Sequence, residues 1–325
     1  MNVKRNSKWV QNASPCFIFC MVFAVSLGIM AESANAQIYI TNLGNHAGRD
    51  GTISEYNFDG SPVDVSLVTR LDYPEGLTVS DGKLFVSQLF IGMIGEYTSG
   101  GETMNTSLIK SPDGLAAYPY GMAVSGSNLF VGQTNNTIAL YTISGSIATL
   151  VNPAFITGVN DPQDLVISGD KLFVANVAGQ LEGHGWIGEY SLSGSTINAS
   201  LVTGLDAPHA IAVSGTTLFV TNADRISEYT TSGAAVNTTL VSHVTSFGIA
   251  ASGTNLYVVN YDAHSISQYS VSGTQGRLVN PSLVTGLTDQ PWSIFVVGSP
   301  NVPSTVSPGE KSVHDKSSVR RQKSY

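Results

Sequence analysis

Apolar residues in this chain fall in short runs rather than in helical stripes. From Ile38 onward, runs of three to five apolar residues alternate with clusters of Gly, Ser, Asn and Asp. The runs are rich in β-branched and aromatic side chains, which is the pattern of strands separated by tight turns. Four kinds of run recur in a fixed order. The first reads Gly76-Leu77-Thr78-Val79, Gly121-Met122-Ala123-Val124, Asp164-Leu165-Val166-Ile167, Ala210-Ile211-Ala212-Val213, Gly248-Ile249-Ala250-Ala251 and Ser293-Ile294-Phe295-Val296. The second reads Leu84-Phe85-Val86 through Leu256-Tyr257-Val258, with one further copy, Ile38-Tyr39-Ile40, at the front. The third ends in Tyr56, Tyr97, Tyr141, Tyr190, Tyr229 and Tyr269, and the fourth runs from Ser66-Leu67-Val68-Thr69 to Ser282-Leu283-Val284-Thr285. Turns such as Ser80-Asp81-Gly82-Lys83 join the first run to the second, with Gly supplying the positive φ of a hairpin.

Four short strands repeated at a spacing of about 40 residues predict an all-β, six-bladed β-propeller over residues 37–299. The ends of the repeat carry a second clue. The chain enters on a second strand (Ile38) and leaves on a first strand (Ile294-Phe295-Val296). The first blade is therefore completed by the last strand, which closes the ring and removes the free edge between its ends.

The repeat P-x-G-I-A-V-x-x-G-x-L-F-V-x-N…I-x-x-Y…G resembles the NHL-repeat group of six-bladed propellers, and more distantly the gluconolactonase-like and streptogramin-lyase-like propellers. The resemblance covers about residues 37–299 and lacks the Trp-Asp pair of WD repeats and the Gly-Gly pairs of kelch. It implies a fold, and functions that range from pure binding platforms to lactonases and lyases.

Residues 1–36 read as a secretory signal: Lys4, Arg5 and Lys8, then an apolar run from Phe17 to Met30, then Ala34-Asn35-Ala36 before Gln37. A secreted, periplasmic or cell-surface protein of bacterial type, with no membrane span in the mature chain, is expected. Both cysteines, Cys16 and Cys20, fall in this segment, so the mature chain has no disulfide or thiolate chemistry. Residues 37–299 hold seven Lys and Arg against twenty Asp and Glu, a formal charge of −13. So acidic a body opposes phosphate backbones, and nucleic acid is not an expected partner. Residues 300–325 are rich in Pro, Ser and Lys and read as a disordered basic tail.

The internal copies act as controls on one another. Features present in every copy serve the blade, and sharp departures are free to serve function. The glutamate of I-x-E-Y recurs as Glu55, Glu96, Glu189 and Glu228 and is expected at a strand edge near solvent; the repeated tyrosines are expected to pack between blades. The residue after the repeat proline behaves differently. It is Glu75, Tyr120, Gln163, His209 and Trp292, with Phe247 in the proline-less copy. These six should ring one mouth of the central channel, as aromatic walls with a few polar groups around a ligand. The loops from second to third strand open on the same face and vary in length; they carry His46, His184 and His264.

The leading expectation is a module that binds an extracellular small molecule, glycan or protein on this face. Tyr120, Phe247 and Trp292 would stack on the ligand, with Glu75, Gln163 and His209 orienting it. The alternative is a metal-assisted lyase or lactone hydrolase, with His209 as base and Glu75 as acid or metal ligand. The resemblance implies calcium or magnesium for that chemistry, with Glu75-Gly76 matching the start of the gluconolactonase pattern. Glu75 and His209 belong to the first and fourth inner strands of the chain, so a regular ring sets them on opposite sides.

Overall fold

A computed structural model describes residues 37–44, 49–110, 118–179, 183–287 and 290–298. The expected signal segment and the basic tail lie outside the described residues, as do His46 and Glu182. Within the described residues, twenty-four strands form six four-stranded antiparallel sheets and there is no helix. Each sheet is one blade. Blade 1 pairs the last strand, Pro291–Val297, with the first, Gln37–Asn42, through Ile38↔Val296 and Ile40↔Ile294. The ring is thus closed in the register that the chain ends predict.

The six inner strands are Pro291–Val297, Pro74–Ser80, Pro119–Ser125, Pro162–Ser168, Ile211–Ser214 and Ile249–Ser252. Each touches its two neighbours, so they meet in ring order around one axis. They meet so closely that several positions have no room for a side chain. A β-carbon on Gly76 would sit 2.4 Å from the Tyr120 carbonyl, and one on Gly121 would sit 2.5 Å from that of Gln163. One on Gly248 would lie 2.5 Å from the carbonyl of Trp292. The glycines of the first run are there for this close approach.

Apolar packing is divided into six clusters, each formed between two neighbouring blades. The repeated tyrosines build them as expected: Tyr97 packs with Tyr39, Ile53 and Val68 of blade 1, and Tyr229 with Phe173, Ile187 and Val202 of blade 4. The glutamates of I-x-E-Y correct the expectation of solvent contact. Glu55, Glu96, Glu189 and Glu228 are all buried, each opposite the aromatic residue of the second strand. Two are neutralised there by the lysine that opens that strand: Lys83 to Glu96 at 2.7 Å and Lys171 to Glu189 at 2.5 Å. Glu228 has Thr217 at the equivalent position, and burial holds its carboxyl above the usual range.

The outer strands share a device that the sequence reading did not identify. Asp64, Asn105, Asn152, Asn198, Asn237 and Asn280 each accept a hydrogen bond from the amide two residues on, at 2.9 to 3.1 Å. The ladder register shifts beside each of them. These edges expose Val63, Val65, Leu150, Val151, Leu278 and Val279. A bulge that bends the edge hinders strand-to-strand aggregation of such apolar edges.

Gly121→Ala should lower unfolding stability by about 1–3 kcal/mol in chemical denaturation, because two backbones would have to separate. Gly100→Ala, whose β-carbon would meet nothing closer than the Thr98 hydroxyl at 3.8 Å, should leave stability nearly unchanged.

Candidate functional site

The channel mouth is shaped by a break in four of the six inner strands. Pairing with the second strand slips between Pro74 and Leu77, between Pro119 and Met122, and between Pro162 and Asp164. A bulge of this kind re-aims the side chain it carries, here the residue after the proline. The amide left over needs a new acceptor, and hydroxyls of the second strand supply it. Gly76 donates to Ser87 Oγ at 2.7 Å, Ala210 to Thr221 Oγ1 at 2.8 Å and Ser293 to Thr41 Oγ1 at 3.0 Å. Blade 4 has Ala175 at that position, and an acid takes over. Asp164 Oδ1 accepts from its neighbour Leu165 and Oδ2 from Ile211 of blade 5, both at 2.9 Å.

Five of the six residues after the repeat proline meet at the axis. Glu75, Gln163, His209, Phe247 and Trp292 line one cavity together with Asp164, and Glu75 (blade 2) and His209 (blade 5) stand three blades apart. Tyr120 stands beside a hydrogen-bonded pair instead: Gln163 Nε2 donates to Asp161 Oδ1 at 3.0 Å, and burial, with the nearby charges of Asp161 and Glu75, raises the proton affinity of the Tyr120 hydroxyl. The ring does not surround an open pocket. Phe247 and Trp292 stack at 4.2 Å with planes 9° apart, and His209 meets Phe247 edge-on at 4.6 Å. Tyr261 closes the group edge-on against both Phe247 and Trp292, at 4.9 and 5.9 Å. The side chains fill the axis with one another, and the cavity left is about 30 Å³, room for about one or two waters. Small-molecule sites typically need several hundred Å³.

His184 and His264 do not join the ring. His184 is exposed on its loop, and His264 places Nδ1 3.3 Å from the Leu287 carbonyl, tying down its own blade. Residues missed in the sequence lie around the rim. Tyr73 stacks on Phe90 at 4.3 Å, and Phe90 and Tyr118 stay 58% and 38% exposed. With Tyr120, Tyr261 and Trp292 they make the mouth face strongly aromatic. Asp164 was detectable: it replaces the small residue found there in the other copies (Gly76, Gly121, Ala210, Gly248, Ser293).

Burial governs the electrostatics. Glu75 is only 7% exposed, and its carboxyl is pushed up to about 8, by burial first and by the charge of Asp161 second. Asp164 is pushed up to about 7 by burial, against the pull of its two amide donors. His209 is held down at about 4 by burial, opposed by Asp161. At neutral pH the axis therefore carries a protonated Glu75 and a neutral His209. The donor set does not suit calcium or magnesium, which seek six or more oxygens. Three of the six ring positions are Tyr120, Phe247 and Trp292, and among the described residues no three His, Cys, Asp or Glu converge as metal ligands.

No family model and no curated protein matches the chain. Solved structures match its fold. A chain of the nidogen/laminin complex superposes with a TM-score of 0.62 at 14% identity, covering 81% of this chain and 99% of that one. A putative 6-phosphogluconolactonase from Bacteroides fragilis gives 0.57 at 12% identity, covering 82% and 99%. A gluconolactonase from Xanthomonas campestris gives 0.55 at 16%, covering 82% and 93%. At such identities the likeness establishes the six-bladed propeller and nothing finer.

Folding takes up a proton at Glu75 between its unfolded value of 4.5 and its folded value of about 8. The stability contributed by the neutral carboxyl is therefore full below pH 4.5 and is lost as pH rises through about 8. His209 acts in the opposite sense: stability falls as pH drops from 6.5 toward about 4, because the buried ring resists protonation. Glu75→Gln should be more stable than wild type at pH 9, by on the order of a few kcal/mol, and nearly equal at pH 4.5. Thermal melts across that range read it; a gap that does not change with pH would count against a buried neutral Glu75.

Proposed function

We propose that this protein is an exported, non-catalytic binding module that takes a glycan, peptide or envelope protein on its mouth face. The observation that carries this reading is the packed axis. Ring side chains that fill their own channel leave about 30 Å³, so a ligand must lie across the face rather than enter it. The exposed aromatic rim around Phe90, Tyr118 and Tyr73 supplies what such a surface needs: rigid, amphipathic rings that gain contact area at small entropic cost. Structural neighbours with the same fold include a chain from an assembly of two proteins, the nidogen/laminin complex.

One observation favours a second reading, a lyase or lactone hydrolase. Glu75 and His209 line the same cavity, and their proton affinities are displaced in opposite senses, as in acid–base pairs. A neutral Glu75 would donate a proton and a neutral His209 would accept one. The ring would have to part to admit a substrate.

Binding to defined arrays of neutral glycans and of peptides, followed by titration of any hit, separates the two. A mouth-face ligand should bind Phe90→Ala or Tyr118→Ala at least tenfold more weakly, and Glu75→Gln with little change. A ligand indifferent to both aromatic substitutions would overturn the mouth-face reading. Turnover of a lactone by wild type that Glu75→Gln abolishes would replace it with the enzyme.

A further inference from the structure

We infer a second, anion-binding site away from the channel, in the groove between blades 1 and 2, built for an acidic saccharide. The groove encloses about 650 Å³, a volume suited to a few sugar rings, and none of its lining residues is acidic. Arg49 and Arg70 stand on it. Lys110 is the cross-strand partner of Met93, which also lines it, so the Lys110 side chain leaves the sheet on the same face. This concentration is unusual in a body with only seven Lys and Arg between residues 37 and 299. Three of the seven, Lys83, Lys171 and Arg225, are held in close ion pairs with Glu96, Glu189 and Asp206. Three of the remaining four gather here. Only a long contact of 3.9 Å, from mostly exposed Arg49 to Asp72, engages any of them among the described residues.

Arg70 carries the second argument. Its φ is 64°, in the left-handed region, and the equivalent residues of three other blades are Gly158, Gly204 and Gly286, with φ of 78°, 75° and 71°. The backbone wants glycine at this corner; blade 1 places Arg70 there and blade 5 the exposed His243, at φ 58°. A strained arginine on the wall of a cavity points to a side chain retained for something other than folding. The hydroxyls of Thr69, Thr106 and Ser107, the Gln88 amide and the Tyr97 ring recur as Thr203, Thr238, Thr239, Asn222 and Tyr229 in the groove of about 590 Å³ between blades 4 and 5, so they offer a polar bed common to both, and Arg49 and Arg70 distinguish this one. Arginines matched to carboxylate or sulfate would then add the charge recognition.

The test is calorimetric titration of the full chain with hexagalacturonate, a sulfated chondroitin hexasaccharide, neutral cellohexaose and a decaglutamate peptide. One of the two acidic saccharides should bind, more weakly as salt is raised; which one distinguishes carboxylate from sulfate recognition. Arg70→Gly should weaken that binding at least tenfold while leaving the melting temperature unchanged or higher, a combination that a structural arginine would not give. Arg49→Ala should weaken it too, and Tyr118→Ala at the mouth should not. Binding unaltered by Arg70→Gly, equal binding of cellohexaose, preference for decaglutamate, or no binding of either acidic saccharide would each overturn the proposal.

Discussion

Six inner strands share one axis, and at three of the six contacts no β-carbon fits between them. Gly76, Gly121 and Gly248 let each backbone rest on the carbonyl of the next blade. That approach sets the diameter of the ring. It brings the second strands near enough for the apolar clusters to form between every pair of neighbours. It also leaves too little space on the axis for six large side chains to stand apart. The aromatic ring therefore collapses on itself, and the collapse buries Glu75 and His209 and displaces their proton affinities.

The same constraint governs where function can sit. A channel lined by Glu, Gln, His, Phe and Trp reads as a pocket when only the residue types are known. In three dimensions the stacking of Phe247 on Trp292 and the edge contacts of His209 and Tyr261 consume the surfaces a ligand would need. The surfaces proposed for recognition, the aromatic rim and the groove between blades 1 and 2, lie outside this packed axis. Burial of the acids on the axis then follows from packing, and need not reflect an acid–base mechanism.

The fold was legible because each blade restates it. Periodic runs marked the strands, and the displaced ends marked the closure, since an unpaired first strand at one end matches a missing one at the other. The ring of residues after the proline was legible for the same reason: a position that varies among otherwise similar copies stands out. Asp164 was within reach of that comparison one residue further along. The glutamates of I-x-E-Y were misread because recurrence shows that a residue matters to the blade but not which way it faces. Their burial comes from the sheet packing around them, with Lys83 and Lys171 neutralising two of the four and none doing so for Glu228. Tyr73 and Tyr118 stand before the repeat proline, where other copies have Asp161, Ala207 and Gln290, and were within reach of the same comparison; Phe90 lies in a loop between strands, which is not constrained to match.

By itself, the sequence determined everything that a two-residue or forty-residue period can encode: strand positions, blade number, the closing register and the residues that crown the inner strands. Those follow from local alternation and from turns whose geometry is set by a few residues. Only the tertiary structure decided whether the crown is open or filled, which carboxylates are buried, and that Arg49 and Arg70 share one groove. These depend on distances between residues far apart in the chain, which local alternation does not encode.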